Sequence, residues 1–364
     1  MKKTNVAILF GGKSGEHEVS LQSAKNVFNA IDKKKYNPVV IKIDKSGKWL
    51  LVNKPKTIFD TDDRASSDKK LLGIPVAMVP KSEGNISNLS KKGKNIKVDV
   101  VFPVLHGPFG EDGTIQGLLK LAEVPFVGAG VLGSAVGMDK DVMKRLLKND
   151  GIPIGKFVTI KSMEVVPGFG SVKKKLKSPL FVKPANLGSS IGVSKANNEK
   201  EYLRGVKDAF KYDNKILIEE YIKGREIECS VLGNDNPIAS SLGEVKPVND
   251  FYSYKAKYID EEGAVLEVPA RISKKKTKEI QKMAIKVFQS LSCEGMGRVD
   301  FFLKENGKII VNEINTIPGF TKISMFPRLW GFSGISYTDL IDRLIQLAIS
   351  RFNQEEKLKT SYKG

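Results

Sequence analysis

The chain has little cysteine, little histidine, little arginine and no long apolar run. Its two cysteines, Cys229 and Cys293, stand far apart in 364 residues. That excludes a disulfide framework and a cysteine-based zinc site, and it suits a reducing cytoplasm. No apolar stretch approaches the roughly 18 residues a membrane helix needs, so no membrane partner is expected. Met1-Lys-Lys could open a signal peptide, but the short apolar run Val6–Phe10 is ended by Gly11-Gly12. Only nine of the 60 basic residues are arginine, the side chain whose planar fork best matches phosphates and base edges.

What is present is positive charge, +19 in all, carried by lysines spread along the chain with clusters at 33–35, 173–175 and 274–276. No nucleic-acid-binding motif accompanies them, so the lysines read as a solvated surface and no nucleic-acid partner is expected. Such a field still attracts an anionic small molecule. The length calls for two or three domains.

Residues 5–10 (NVAILF) predict a buried strand ending at Gly11-Gly12. Leu21, Ala24, Val27, Phe28 and Ile31 mark a helix face, with Ser20 as its N-cap. Strands follow at Val39–Ile43 and Val98–Val104, then a helix through Ile115, Leu118, Leu119 and Ala122. The polar stretch 53–97 between them reads as a peripheral insertion. Strand–helix alternation predicts a parallel sheet wrapped by helices, with ligands beyond the carboxyl ends of its strands. Both histidines, His17 and His106, fall in glycine-rich loops there, GGKSGEHEVS (11–20) and LHGPFGEDG (105–113). Further helices are predicted from Gly133 to about Gly151, over 199–211, 274–291 and 336–352, with strands at 215–222 and 226–232.

Two stretches carry chemistry. In KPANLGSSIG (183–192), Lys183 ends an apolar strand, and Ile191-Gly-Val-Ser begins another. A Walker loop needs a helix there and places its lysine after the glycines. Gly188 and Gly192 expose backbone N–H groups, and Ser189 and Ser190 add donors; taken alone, these ten residues favour a flexible hairpin with a surface lysine. In RVDFFLKENGKIIVNEIN (298–315), two alternating runs flank Asn306-Gly307, a strong hairpin signal. A turn at those residues sets Asp300 opposite Glu313 and Arg298 opposite Asn315, all on one face. Two carboxylates and an amide oxygen suit a hard cation such as Mg²⁺. Metal-free catalytic carboxylates and a solvent-facing hairpin of ion pairs are the alternatives.

The order of these pieces resembles the ATP-grasp fold. More closely, the chain resembles the D-alanine–D-alanine ligase family, through GGKSGEHEVS (11–20), LHGPFGEDGTIQG (105–117), MDK (138–140), VKPANLGSSIG (182–192), LIEEYIKGREIE (217–228), FYSYKAKY (251–258), GRVDFF (297–302) and NEINTIPGFT (312–321). The motifs run in family order over nearly the whole chain. The resemblance implies an α/β, three-domain ATP-grasp ligase. Its parts are an N-terminal parallel-sheet (preATP-grasp) substrate domain over 1–134, a central subdomain with the mobile loop over 135–226, a C-terminal subdomain with the metal hairpin over 227–355, and a tail over 356–364.

The implied reaction joins two D-alanines for peptidoglycan precursor synthesis, using ATP and an acyl phosphate. The resemblance implies that Lys140 and Lys183 contact ATP phosphates, with Ser190 in the lid above them. Glu219, Glu220 and Ile222 form the hinge that recognises adenine, and Glu226 takes the ribose. Glu220 stands where many relatives have lysine. Lys257 approaches the γ-phosphate, and Asp300, Glu313 and Asn315 hold two Mg²⁺ (or Mn²⁺). Glu16 binds the first ammonium near His106, and Ser324 and Met325 receive the second carboxylate. Arg298 and the Gly319 N–H form an oxyanion hole. Glu16, Ser189 and Tyr258 form a triad that shuts the lid. The family also implies a cytoplasmic homodimer.

Other readings remain at this point. A related ligase joining D-alanine to D-lactate or D-serine would differ near Tyr258. A nucleic-acid-binding protein would exploit the +19 charge. An inactive ATP-binding regulator usually loses the metal carboxylates or Arg298, and none is missing here.

Overall fold

The computed structural model describes residues 2–55, 59, 73–90, 93–247, 264–359 and 361. The first sheet is built on β1 (Thr4–Gly11), a run so apolar that both its faces are buried. It pairs in parallel with β2 (Tyr36–Ile43) and β7 (Val100–Val104). Between β1 and β2 runs α1 (His17–Ala30), the crossover that a parallel pair requires.

The sheet is mixed rather than parallel. The stretch read as a peripheral insertion contributes β4 (Gly73–Met78), β5 (Asn85–Asn88) and β6 (Ile96–Lys97), which follow β3 (Trp49–Val52) as antiparallel neighbours. The order is β6-β5-β4-β3-β2-β1-β7. Val76, Met78 and Ile86 supply the buried positions. These strands are two to six residues long, so polar turns dominate the average of the region and hide their alternation.

Three local expectations are corrected as well. Helix α1 begins at His17 with Glu16 at the N-cap. Ser20 lies inside it, because its hydroxyl accepts the Gly11 N–H at 2.7 Å and donates to the Val104 carbonyl, tying the helix to both strand ends. The helix expected from Gly133 is two: α3 (Val131–Met138), which follows α2 (Thr114–Leu121), and α4 (Lys140–Asn149). Asp139 breaks the path and caps α4, its carboxylate accepting the N–H groups of Asp141 and Val142. After the glycine–serine loop the next strand begins only at Ser194.

The second sheet, in the order β10-β9-β11-β8, joins β8 (Phe157–Lys161), β9 (Leu180–Pro184), β10 (Ser194–Ala196) and β11 (Lys215–Glu220). Helices α5 (Phe169–Leu176) and α6 (Glu199–Ala209) cover it and share its apolar core. The third sheet, β14-β13-β12-β15-β16, holds β12 (Arg225–Gly233), β13 (Ile238–Pro247), β14 (Ala264–Glu267), β15 (Gly295–Leu303) and β16 (Ile309–Asn315). Its apolar face packs on α7 (Lys274–Ser290) through Ile280, Ala284, Val287 and Phe288. Its other face carries the polar residues.

After β16 come α8 (Met325–Phe332) and α9 (Tyr337–Glu355). Helix α9 returns to the first sheet: Leu340, Ile341, Leu344 and Ile345 share one core with Phe10 and Phe102. Arg351 donates to the carbonyls of Phe126 and Gly128. The chain after β16 therefore draws the first and third sheets together, and the polar face of the third looks toward the loops of the first. No helix among the described residues is long and apolar enough to cross a membrane.

Candidate active site

The hairpin places its polar residues as expected. Arg298 pairs with Asn315 and Asp300 with Glu313 across β15 and β16. Nearer the turn the pairs are Phe301 with Val311 and Leu303 with Ile309, so one residue, Asn312, bulges between the two registers. Asp300 receives Arg298 through two bonds of 2.7 Å and the Asn315 amide at 3.0 Å. Glu228, opposite Asp300 on β12, lies 2.9 Å from Arg298 Nε. Among the described residues no three Asp, Glu, His or Cys groups cluster around one metal position. Two carboxylates, an amide and a substrate's phosphates form the oxygen set Mg²⁺ typically takes.

One side of the hairpin faces a cleft of about 560 Å³ between the second and third sheets. Lys140, Lys183, Ser190, Glu219, Glu220, Ile222 and Glu226 all line it. Lys183 Nζ lies 2.6 Å from Glu219 Oε2, and Lys140 Nζ lies 3.5 Å from Glu313 Oε2 while donating to the Leu187 carbonyl. Burial alone would raise the Glu219 carboxyl, but Lys144 and Lys183 outweigh it and hold it at about 2. The Glu220 carboxylate turns away from the lysines and accepts the Lys156 N–H at 2.8 Å. Phe181 and Tyr221 stack at 6.0 Å near the cleft's outer end. Lys140 and Lys183 give this cleft ammonium groups, and Phe181 and Tyr221 give it aromatic rings.

The other side faces a second cleft, about 420 Å³, lined by Glu16, His106, Arg298, Gly319, Ser324 and Met325. Ser189, Glu226 and Glu313 line both clefts, so the two meet at the hairpin beneath the glycine–serine loop. That loop reaches the first sheet: the Ser189 hydroxyl donates to Glu16. Ser189 and Ser190 both hold left-handed backbone, at φ 53° and 59°.

His106 Nδ1 donates to the Ile317 carbonyl, and Nε2 accepts the Ser23 hydroxyl, which itself accepts the Phe320 N–H, each at 3.1 Å. Burial lowers the imidazole to about 4, so the ring is neutral and acts as a strut for the Ile317–Phe320 turn. A Cβ on Gly319 would lie 2.7 Å from Ser324 Oγ, so a side chain there would displace that hydroxyl. His17 lines neither cleft; its Nδ1 bonds the Gly12 carbonyl at 2.8 Å. Lys257 and Tyr258 lie outside the described residues.

Three further groups were not anticipated. Lys144, one turn after Lys140, is buried and 3.0 Å from Glu219 Oε1. The i, i+4 spacing is visible in MDKDVMK, yet a single helix lysine usually faces solvent. Glu228 shares a strand face with Glu226, which its two-residue spacing signals. Glu111 accepts the N–H groups of Gly107 and Ile317 at 2.7 and 3.1 Å. Burial and the neighbouring Glu16 charge push its carboxyl up to about 8.

Comparison with known proteins identifies the family. Residues 5–129 match the family described as D-ala D-ala ligase N-terminus, and residues 146–346 match D-ala D-ala ligase C-terminus. A D-alanine--D-alanine ligase from Oceanobacillus iheyensis is 49% identical over 361 residues, 99% of each chain. Among solved structures, the D-alanine-D-alanine ligase from Coxiella burnetii superposes with a TM-score of 0.88 at 39% identity, covering 98% of this chain and 97% of that one. The VanG D-Ala:D-Ser ligase from Enterococcus faecalis gives 0.83 at 37% identity, covering 95% and 100%. Two clefts meeting at an Asp300/Glu313 hairpin, one of them lined by lysines, and these matches lead to one conclusion: the chain belongs to the D-alanine–D-alanine ligase family.

Proposed function

We propose that this protein joins two D-alanine molecules into D-alanyl-D-alanine for peptidoglycan precursors, consuming one ATP. The observation that carries the reading is the meeting of the two clefts at the hairpin, under a loop that bonds to Glu16. Phosphoryl transfer requires the two substrates in one enclosed space with their charges neutralised.

ATP would lie in the larger cleft, its base against Glu219–Ile222, its ribose at Glu226 and its phosphates on Lys140 and Lys183 under Ser190. Asp300, Glu313 and Asn315 would hold two Mg²⁺ (or Mn²⁺), which supply charge neutralisation to the phosphates. Glu16 would take the ammonium of the first D-alanine, beside Glu111. Its carboxylate oxygen attacks the γ-phosphorus, the bond to ADP breaks, and D-alanyl phosphate forms.

The second D-alanine would place its carboxylate at Ser324 and Met325. Its amine attacks the acyl carbon, Arg298 and the Gly319 N–H receive the oxyanion, and phosphate leaves as the amine gives up its proton. Glu228 and Asp300 fix the Arg298 side chain from both sides, which supports this role. Ser189 with Glu16 and Tyr258 would close the lid, and Lys257 would approach the γ-phosphate. A dry site protects the acyl phosphate from hydrolysis.

The experiment is incubation with Mg²⁺-ATP and D-alanine, alone and with D-lactate or D-serine, followed by mass identification of products. D-alanyl-D-alanine from D-alanine alone is expected. A depsipeptide or a D-serine dipeptide as main product would overturn the second-substrate assignment. Two buried unpaired cysteines support a reducing cytoplasmic setting. A homodimer remains part of the proposal, and a monomeric mass in solution would refute it.

A further inference from the structure

Lys144 is a charged side chain with 2% of its surface exposed, and its ammonium meets one carboxylate oxygen and the ring of Phe157, whose centroid lies 5.9 Å away. The partner, Glu219, is already paired with Lys183 through its other oxygen. On β9 and β11, Lys183 lies opposite Leu217, which puts Glu219 on the same face two residues on. Lys140, on the same helix face as Lys144, pairs with Glu313. Three lysines thus share two carboxylates at the floor of one cleft. Burying a charge is costly, and Lys183 with Glu219 would already be neutral without Lys144. Among these five groups one positive charge is left over, at the point of the cleft where the lysines gather.

We propose that Lys144 is a positioning residue for the nucleotide: its charge offsets Glu219 from the floor of the cleft, so that Lys183 can give its ammonium to a phosphate. This rests on the reading that Lys183 binds phosphate. An ammonium carries three donors, and what Glu219 claims of Lys183 is not available to the ligand. With Lys144 present, the Glu219 charge is divided between two cations. Without it, Glu219 holds Lys183 alone, and a phosphate must compete with a buried carboxylate for one cation. The role differs from that of a structural ion pair in one respect: removing Glu219 together with Lys144 relieves the competition.

The test uses Lys144→Met, Lys144→Gln, Lys183→Met and the double variant Lys144→Met/Glu219→Gln in the full chain. ATP and adenosine binding are measured by calorimetry, and KM is measured for ATP and D-alanine. Lys144→Met is expected to weaken ATP tenfold or more while adenosine binding and the KM for D-alanine stay within twofold. Lys144→Gln keeps a polar side chain and removes the charge that offsets Glu219; it should show the same ATP-selective loss. The double variant should regain ATP affinity relative to adenosine, the comparison that removes any effect of Glu219 on the base. Equal weakening of ATP and adenosine, no weakening of either, or a double variant no better than Lys144→Met would each overturn the inference. Lys183→Met that leaves ATP affinity intact would instead overturn the phosphate reading beneath it.

Discussion

The Ser189 hydroxyl donates to the Glu16 carboxylate, joining residues 173 positions apart in the chain. One belongs to the loop after β9, which lines both clefts, and the other stands at the N-terminus of α1, so this bond ties the loop to the first sheet. Gly188 lies against the same carboxylate: a Cβ there would be 3.3 Å from Glu16 Oε2.

Ser189→Ala removes the bond without adding bulk. A hydrogen bond to a charged group contributes about 1.5–3 kcal/mol, so dipeptide turnover is expected to fall about tenfold or more. A looser lid admits water, and phosphate release should then exceed dipeptide formation. The measurement is the ratio of the two products; a ratio that stays at one in the variant contradicts the sealing role.

Asp300→Asn keeps the shape of the hairpin and removes one charge. Turnover should fall by at least about a hundredfold, as when a preorganised electrostatic partner is removed, while the protein stays folded at the assay temperature. Raising Mg²⁺ should recover part of the rate. Loss of turnover that is matched by unfolding, or no loss, would argue against the metal role.

The Glu111 carboxyl is pushed up to about 8 by burial and by Glu16, from an ordinary value of 4.5. Between those values the folded protein keeps a proton that the unfolded chain has released. Stability from this group is therefore complete below about pH 4.5 and is lost as pH rises toward 8. Glu111→Gln should gain in melting temperature relative to the parent between pH 6 and pH 8. Parallel curves for the two proteins would show that Glu111 is not protonated in the fold.

Gly107 has φ 76°, and a Cβ there would stand 2.6 Å from Glu16 Oε2. Gly107→Ala must strain the backbone and displace the carboxylate, with a stability cost of about 1–3 kcal/mol. The KM for D-alanine should rise several-fold while the KM for ATP stays unchanged. A uniform rise in both would mean that the loop is disturbed as a whole.

Much of this site was legible because its chemistry is local. The Asn306-Gly307 signal led to the right pairing of Asp300 with Glu313, although the turn itself is one residue out of the expected register. The bulge at Asn312 restores it, and nothing in an alternating run marks one polar residue as a bulge. The motif loops, 11–20 and 105–117, likewise announced Glu16 and His106. Burial was harder to read. Lys144 resembles any surface lysine until β11 brings Glu219 to it, and Glu111 is an ordinary loop acid until the Ile317 N–H bonds it. Strands β4–β6 were lost because each is too short to show a period above the surrounding polar turns. What escaped the sequence depends on contacts between distant segments.

The most direct test of the account follows the oxygen. D-Alanine labelled with ¹⁸O in its carboxylate is turned over with Mg²⁺-ATP, and the phosphate and dipeptide are analysed by mass. If the carboxylate attacks the γ-phosphorus at the hairpin, each released phosphate carries one ¹⁸O and the dipeptide is D-alanyl-D-alanine. Unlabelled phosphate, or labelled phosphate with no dipeptide, would contradict it.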